Sequence, residues 1–315
     1  MRILVIFTGG TIGSAVKEGW ISPYGEARRH LIEAYEASGR RDVEFVAREP
    51  YTILSEHLCA EKLNILTQSV SSALDEGFDG IIVTHGTDTL QYSAAALDLA
   101  LGSETVPVML VSSNYPLSSQ KANGHANFAA AVEFIRERAG RGVFISYRNS
   151  DGEVYFHRGG RAVAHREADD DVFSLEGKYY ARLTDNGIKV IGAEVKSEAL
   201  GAFKLTDDSR ILVIDAYPGA SYAHSLEDYS AVILRPYHSG TLDTSNGRFC
   251  ELCSRAKRLG IPVFAVNVKG GVTYESSKKF ESLGIIPADT ALAHAYMRLW
   301  IALSRGEHIC AELLD

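Results

Sequence analysis

The chain has 315 residues, 46% hydrophobic and 23% charged, an ordinary globular balance with enough apolar mass for one large or two ordinary domains. Lys plus Arg number 32 against 40 Asp plus Glu, a formal net charge of −8, which argues against phosphate-backbone binding as the main task. No stretch approaches the roughly 18 apolar residues of a membrane span, and the first apolar run is too short for a secretory signal, so the expected home is the cytoplasm, with neither nucleic acid nor membrane as partner.

That first run, Ile3-Leu4-Val5-Ile6-Phe7, reads as a fully buried strand of a parallel sheet and passes straight into Thr8-Gly9-Gly10-Thr11-Ile12-Gly13. A polar stretch over 14–26, containing Trp20, Pro23 and Tyr24, has the length of a mobile flap. A helix is predicted over 27–38 and a strand over 43–47. Residues 61–75 predict a helix with Leu63, Leu66, Val70 and Leu74 on one face. Gly80-Ile81-Ile82-Val83 is a second buried strand and runs into Thr84-His85-Gly86-Thr87-Asp88-Thr89. Helices over 92–101 and 127–138 then alternate with strands over 106–111 and 142–147, the pattern of βαβ units with right-handed crossovers.

From about 152 to 208 the pattern loosens, with a hairpin signal at 187–191. Strands at 211–215, 231–234 and 262–267 follow, with helices at 247–259 and 290–305. The expected fold is therefore α/β: a larger N-terminal parallel-sheet domain with helices on both faces at 1–185, a linker at 186–207, and a smaller C-terminal α/β domain at 208–315.

Cys250 and Cys253 form a lone C-x-x-C, but they sit one turn apart in a helical pattern and read as small buried hydrophobes, as free thiols in a reducing compartment do. Ten histidines show no H-E-x-x-H or similar spacing, so a metal site is not expected. Asp169-Asp170-Asp171 reads as a solvated loop.

The two threonine turns carry the chemistry. Ligands of parallel sheets bind beyond the carboxyl ends of the strands, where both turns lie. Amide hydrolysis needs a nucleophile, a route for its proton and donors for the oxyanion. Thr11 and Thr87 supply hydroxyls, Asp88 a carboxylate, and Gly10 and Gly86 allow backbone N–H groups to approach a substrate. The ordinary alternative is that Thr and Asp cap the following helices. A phosphate-binding turn is disfavoured, since neither G-x-G-x-x-G nor a P-loop occurs.

Thr8-Gly9-Gly10-Thr11-Ile12-Gly13 and Val83-Thr84-His85-Gly86-Thr87-Asp88-Thr89-Leu90, in that order, make the chain resemble the bacterial-type L-asparaginases (the asparaginase/glutaminase family) over nearly its whole length. Weaker support comes from 116–127, Arg158-Gly159-Gly160-Arg161 and Tyr237-His238-Ser239-Gly240-Thr241. The resemblance implies hydrolysis of L-asparagine, with L-glutamine as a second candidate, no cofactor, and a homodimer or homotetramer with sites at subunit interfaces. It implies Thr11 as the attacking threonine, Tyr24 as a lid residue that activates it, and Thr87 and Asp88 as the water-activating and amino-group-binding pair. Ser55 and Glu56 match the residues that hold the substrate's α-carboxylate end, although a serine there also suits an N-cap for the helix near 61. Ser239 corresponds to a position facing a neighbouring subunit's site.

The chain also departs from that family. Aligned on Arg158–Arg161, Ala164 stands where a relay lysine is expected, with Arg161, His165 and Arg166 as the nearby basic groups. Histidine can take over proton transfer, whereas arginine supplies only charge. Asn123 stands where an aspartate is common. Two other readings follow: a paralogue that binds asparagine or aspartate with weakened or lost catalysis, and a related amidotransferase subunit releasing ammonia for tRNA-linked glutamate. The lack of an evident extra N-terminal domain and of basic character argues against the last.

Overall fold

Short aliphatic runs become strands here because β-branched side chains pack well on a sheet covered on both faces. The computed structural model describes residues 1–17, 20–23, 27–40, 42–166, 168–193, 197–268 and 274–314, which form two units, Met1–Phe203 and Lys204–Asp315.

The first unit contains strands β1 (Arg2–Phe7), β2 (Ser14–Lys17), β3 (Trp20–Pro23), β4 (Glu44–Arg48), β5 (Gly80–Thr84), β6 (Val108–Val111), β7 (Val143–Arg148), β8 (Val154–Arg158), β9 (Ala162–Val163), β10 (Phe173–Ser174), β11 (Ala181–Thr184) and β12 (Gly187–Val190). Its helices are α1 (Ala27–Ala37), α2 (Ala60–Ala73), α3 (Leu90–Leu101) and α4 (Gly124–Arg136). Eight strands form one sheet in the order β12-β11-β8-β7-β6-β5-β1-β4, parallel from β4 to β7 and antiparallel beyond.

Alternation along β1 divides the core. Ile3, Val5 and Phe7 pack with Leu31 and Tyr35 of α1 and with Phe128, Phe134 and Ile135 of α4. Leu4 and Ile6 face the other way, into a layer formed by Leu66 and Val70 of α2 and by Leu90, Ala94 and Leu97 of α3. Helices thus cover both faces, as the sequence predicts.

The order of strands fixes where a ligand would bind. β1 pairs with β4 on one side, while β5, the next strand of this sheet in the chain, pairs on its other side. The connections leaving β1 and β5 diverge, which opens a crevice at their carboxyl ends. Both strands end level, Phe7 opposite Thr84, so the two threonine turns start side by side.

Two expectations change. The segment 186–207 is not a free linker. Gly187–Val190 completes the sheet as an edge strand, and the residues from Ser197 strap back onto the end of α3, with Leu200 N–H donating to Leu99 O at 2.8 Å and Ser103 N–H to Ser197 O at 3.0 Å. Phe203 then packs on the core, so the first unit runs well beyond residue 185. The polar stretch 14–26 contains an antiparallel hairpin of β2 and β3, while Tyr24 lies outside the described residues.

The second unit holds a four-stranded parallel sheet of β13 (Ile211–Asp215), β14 (Ala231–Arg235), β15 (Val263–Val266) and β16 (Ile285–Ala288), in chain order. Strand β16 escapes the sequence reading because it contains Pro287, which is tolerated because β16 is an edge strand. Helix α5 (Gly247–Leu259) is capped by Asn246, whose side chain accepts from the Arg248 and Phe249 N–H groups. It buries Phe249, Leu252, Cys253 and Ala256 against the sheet, which places Cys253 among hydrophobes as expected. Helices α6 (Phe280–Leu283) and α7 (Leu292–Ser304) follow.

Candidate active site

The first turn is held by backbone pairing. Gly9 bridges Ile53: Gly10 N–H donates to Ile53 O at 2.9 Å, and Ile53 N–H to Thr8 O at 3.1 Å. Thr8 Oγ1 donates to Thr84 O at 2.6 Å, tying this turn to the end of β5. Gly10 has φ of 73°, and a Cβ there would stand 2.3 Å from the nitrogen of Gly86, so the two turns touch backbone to backbone. Thr11 and Thr87 each follow one glycine of this contact, and both are half-buried.

The Ile53 bridge carries Ser55 to the same place. A Cβ on Gly86 would lie 2.5 Å from Ser55 Cβ and Oγ. Ser55 Oγ donates to Asp88 Oδ2 at 3.0 Å, and Thr89 Oγ1 donates to Ser55 O at 2.9 Å. These contacts decide against helix capping. The N-cap of α2 is Cys59 and not Ser55, and Thr89, at the N-cap of α3, makes no side-chain capping bond. Ser55 is buried, whereas Glu56 beside it is exposed.

His85 is buried behind the second turn. Its Nδ1 meets Gly86 O at 2.8 Å and its Nε2 meets Ser93 Oγ at 2.8 Å, so the network assigns the proton to Nδ1. Burial lowers its pKa, which keeps the ring neutral and rigid under Gly86.

Beyond Thr87 and Asp88 opens a cavity of about 420 Å³. Asn114 and Tyr115, after β6, form one wall, and Tyr147, near the end of β7, forms another. His165, Asp169 and Asp170 close it. Burial pushes the Tyr147 phenol up to about 12, against a smaller opposing effect of Asn123. His165 Nε2 is buried without a hydrogen-bond partner.

The structure therefore joins Thr87, Asp88 and His165 in one cavity, with Ser55, Gly10 and Gly86 packed behind it. Arg161 ends a short helical turn after β8 and is not among the cavity's walls; Ala164 is exposed. Ser239 belongs to the second unit, where its hydroxyl pairs with Thr241 Oγ1 at 3.1 Å.

Tyr147, Asn114 and Tyr115 escape a reading of the sequence. Their only signal is a polar group at the carboxyl end of a core strand. Asp169 and Asp170 line the cavity, Asp170 exposed as a solvated loop would have it, while Asp171 accepts from Ser150 N–H at 2.6 Å and from its hydroxyl at 2.8 Å. Asn123 is buried, exchanges backbone–side-chain bonds with Asn114 at 3.0 and 3.2 Å, and donates from Nδ2 to Arg148 O at 2.9 Å. An ionised aspartate could not make that last bond, so an asparagine suits this place beside Asn114. Among the described residues no group of three His, Cys, Asp or Glu could hold a metal ion, and no helix is long and apolar enough to cross a membrane.

A family model described as asparaginase, N-terminal, matches residues 2–195, which include both threonine turns and every wall of the cavity. The chain belongs to the asparaginase family. Among known relatives it is similar to a glutamyl-tRNA(Gln) amidotransferase subunit of Methanothermobacter thermautotrophicus, 26% identical over 319 residues that cover 95% of this chain and 71% of that one. The same amidotransferase component of Aeropyrum pernix is 25% identical over 328 residues, covering 98% and 76%. Among solved structures, the thermostable L-asparaginase from Thermococcus kodakarensis matches with a TM-score of 0.80 and 23% identity, covering 99% of this chain and 95% of that one. L-asparaginase I from Vibrio cholerae matches with a TM-score of 0.78 and 22% identity, over the same shares. Likeness at these identities shows the asparaginase fold.

Proposed function

We propose that this protein is a threonine-nucleophile amidohydrolase that releases ammonia from L-asparagine. The observation that carries the reading is the contact of Gly10 with Gly86, which starts two threonines, Thr11 and Thr87, from one point at the sheet's switch point. Thr11 Oγ1 attacks the side-chain amide carbon, ammonia leaves, and water hydrolyses the resulting ester. Thr87 handles the proton of the hydroxyl or water. Asp88, oriented by Ser55, receives the substrate's α-ammonium group, a charge-assisted contact. Ammonia release over a panel of L-asparagine, L-glutamine and related amides tests the reading, and a well-folded protein silent on the whole panel would overturn it.

One observation favours a second reading. Position 164 carries only an exposed methyl group where the resemblance implies a basic side chain. A protein that binds asparagine or aspartate without turnover would fit. Calorimetry showing binding, with no ammonia released, would support it over the first.

A further inference from the structure

Free L-asparagine carries two charged groups beside its side-chain amide, an α-ammonium and an α-carboxylate, and a site built for it must pair both. Asp88 suits the ammonium. The carboxylate finds no lysine or arginine among the cavity's described walls. Ser55 Oγ already donates to Asp88 Oδ2 at 3.0 Å, and Glu56 beside it is exposed and carries a carboxyl group of its own. His165 Nε2 is sealed from solvent. Asp169 and Asp170 line the same cavity, so two further carboxylates remain once Asp88 has taken the ammonium group. Both would repel an incoming carboxylate.

Asn114 offers a neutral donor in place of a cation. Asn114 and Asn123 exchange bonds from backbone N–H to side-chain Oδ1, at 3.0 and 3.2 Å. A backbone N–H can only donate, so each side-chain oxygen must face the other residue, which fixes both amide orientations. Asn123 Nδ2 is used as well, on Arg148 O at 2.9 Å. Asn114 Nδ2 makes no bond among the described residues, and Asn114 belongs to the cavity wall. Its loop is pinned by Ser113 Oγ, which donates to Tyr115 O at 2.5 Å and accepts from Gly124 N–H at 3.2 Å. A neutral N–H of this kind pairs with a peptide carbonyl without needing a counter-charge. The cavity also has room for more than one small amino acid, since about 420 Å³ lies within the roughly 300–1,000 Å³ of sites for drug-sized ligands. Tyr115, 39% exposed in the same wall, presents a ring to a chain that continues past the α-carbonyl.

We propose that this site prefers an asparagine whose α-carboxyl group is amide-linked, as at the amino terminus of a peptide, with Asn114 Nδ2 donating to that carbonyl oxygen. Free L-asparagine is then the poorer substrate. The inference takes its reaction from the amidohydrolase reading above and refines only the substrate class. Water enters, the side-chain carbon–nitrogen bond breaks, ammonia leaves, and an aspartate remains at the amino terminus.

The test compares L-asparagine with L-asparagine α-methylamide at neutral pH; the methylamide releases ammonia only from its side chain. Wild type should favour the methylamide by about tenfold or more in kcat/KM. Asn114→Ala should raise KM for the methylamide about fivefold, the size of one neutral hydrogen bond, with kcat little changed. Asn114→Asp, which keeps the acceptor for Asn123 N–H and loses the donor, should raise it at least as much. Asp170→Asn removes an exposed carboxylate and should narrow the gap between the two substrates, as should added salt. Equal or better use of L-asparagine by wild type would overturn the proposal, as would an unchanged KM in both Asn114 variants. If wild type turns over L-asparagine and not the methylamide, only this proposal falls and the amidohydrolase reading stands. If neither releases ammonia, the amidohydrolase reading falls, and calorimetry with the same two ligands still decides the preference. Tighter binding of the methylamide would support it, and equal or tighter binding of L-asparagine would overturn it.

Discussion

Gly10 and Gly86 meet backbone to backbone, so closely that a Cβ on Gly10 would lie 2.3 Å from the Gly86 nitrogen and 2.4 Å from its Cα. No side chain fits there, and the φ of 73° at Gly10 adds backbone strain for any other residue. Gly10→Ala is therefore expected to force the turns apart, at about 3 kcal/mol of overpacking and backbone strain combined. Urea unfolding should show that loss, and ammonia release should fall with it. Normal stability and activity in Gly10→Ala would mean that the two turns do not need this contact.

Ser55 bonds Asp88 and leaves the capping of α2 to Cys59. Removing its hydroxyl leaves a carboxylate that this side of the site no longer holds in place. Ser55→Ala should raise KM for L-asparagine about tenfold, the size of one hydrogen bond to a charged group, with little change in unfolding midpoint. An equal loss in kcat with KM unchanged would place Ser55 in the chemistry and not in binding.

His157, on β8, is buried with Nδ1 on Ser174 Oγ at 2.9 Å and Nε2 unpaired. Burial pulls its pKa from 6.5 down to about 3, so the folded protein binds fewer protons there than the unfolded chain. Its contribution to stability is whole above pH 6.5 and is lost progressively as pH falls towards about 3. His157→Gln, which cannot titrate, should flatten the fall in stability across the upper part of that window. Urea midpoints at several pH values check this, and an unchanged slope would contradict it.

Much of this architecture is legible in the sequence for a physical reason. Strands of a covered parallel sheet bury both faces, so β1 and β5 appear as unbroken aliphatic runs, and the turns after them stand out at once. The cavity is less legible because its walls come from segments distant in the chain. Nothing in periodicity joins His165 or Tyr147 to Thr87; only the sheet order does. The end of the first unit escapes a sequence reading for a similar reason. Backbone hydrogen bonds at Ser197 and Leu200 hold that segment to α3, and backbone bonding leaves no mark on side-chain pattern. Edge strand β16 hides behind Pro287, which ordinarily argues against a strand.

The central claim is that Thr11, which follows Gly10 of the glycine contact as Thr87 follows Gly86, is the nucleophile of an amidohydrolase. Ammonia release from L-asparagine by wild type and by Thr11→Val, each verified as folded, tests it most directly. The account predicts clear turnover by wild type and a loss of at least about 10⁴-fold in Thr11→Val, as befits removal of a nucleophile. Turnover by Thr11→Val within about tenfold of wild type would contradict it.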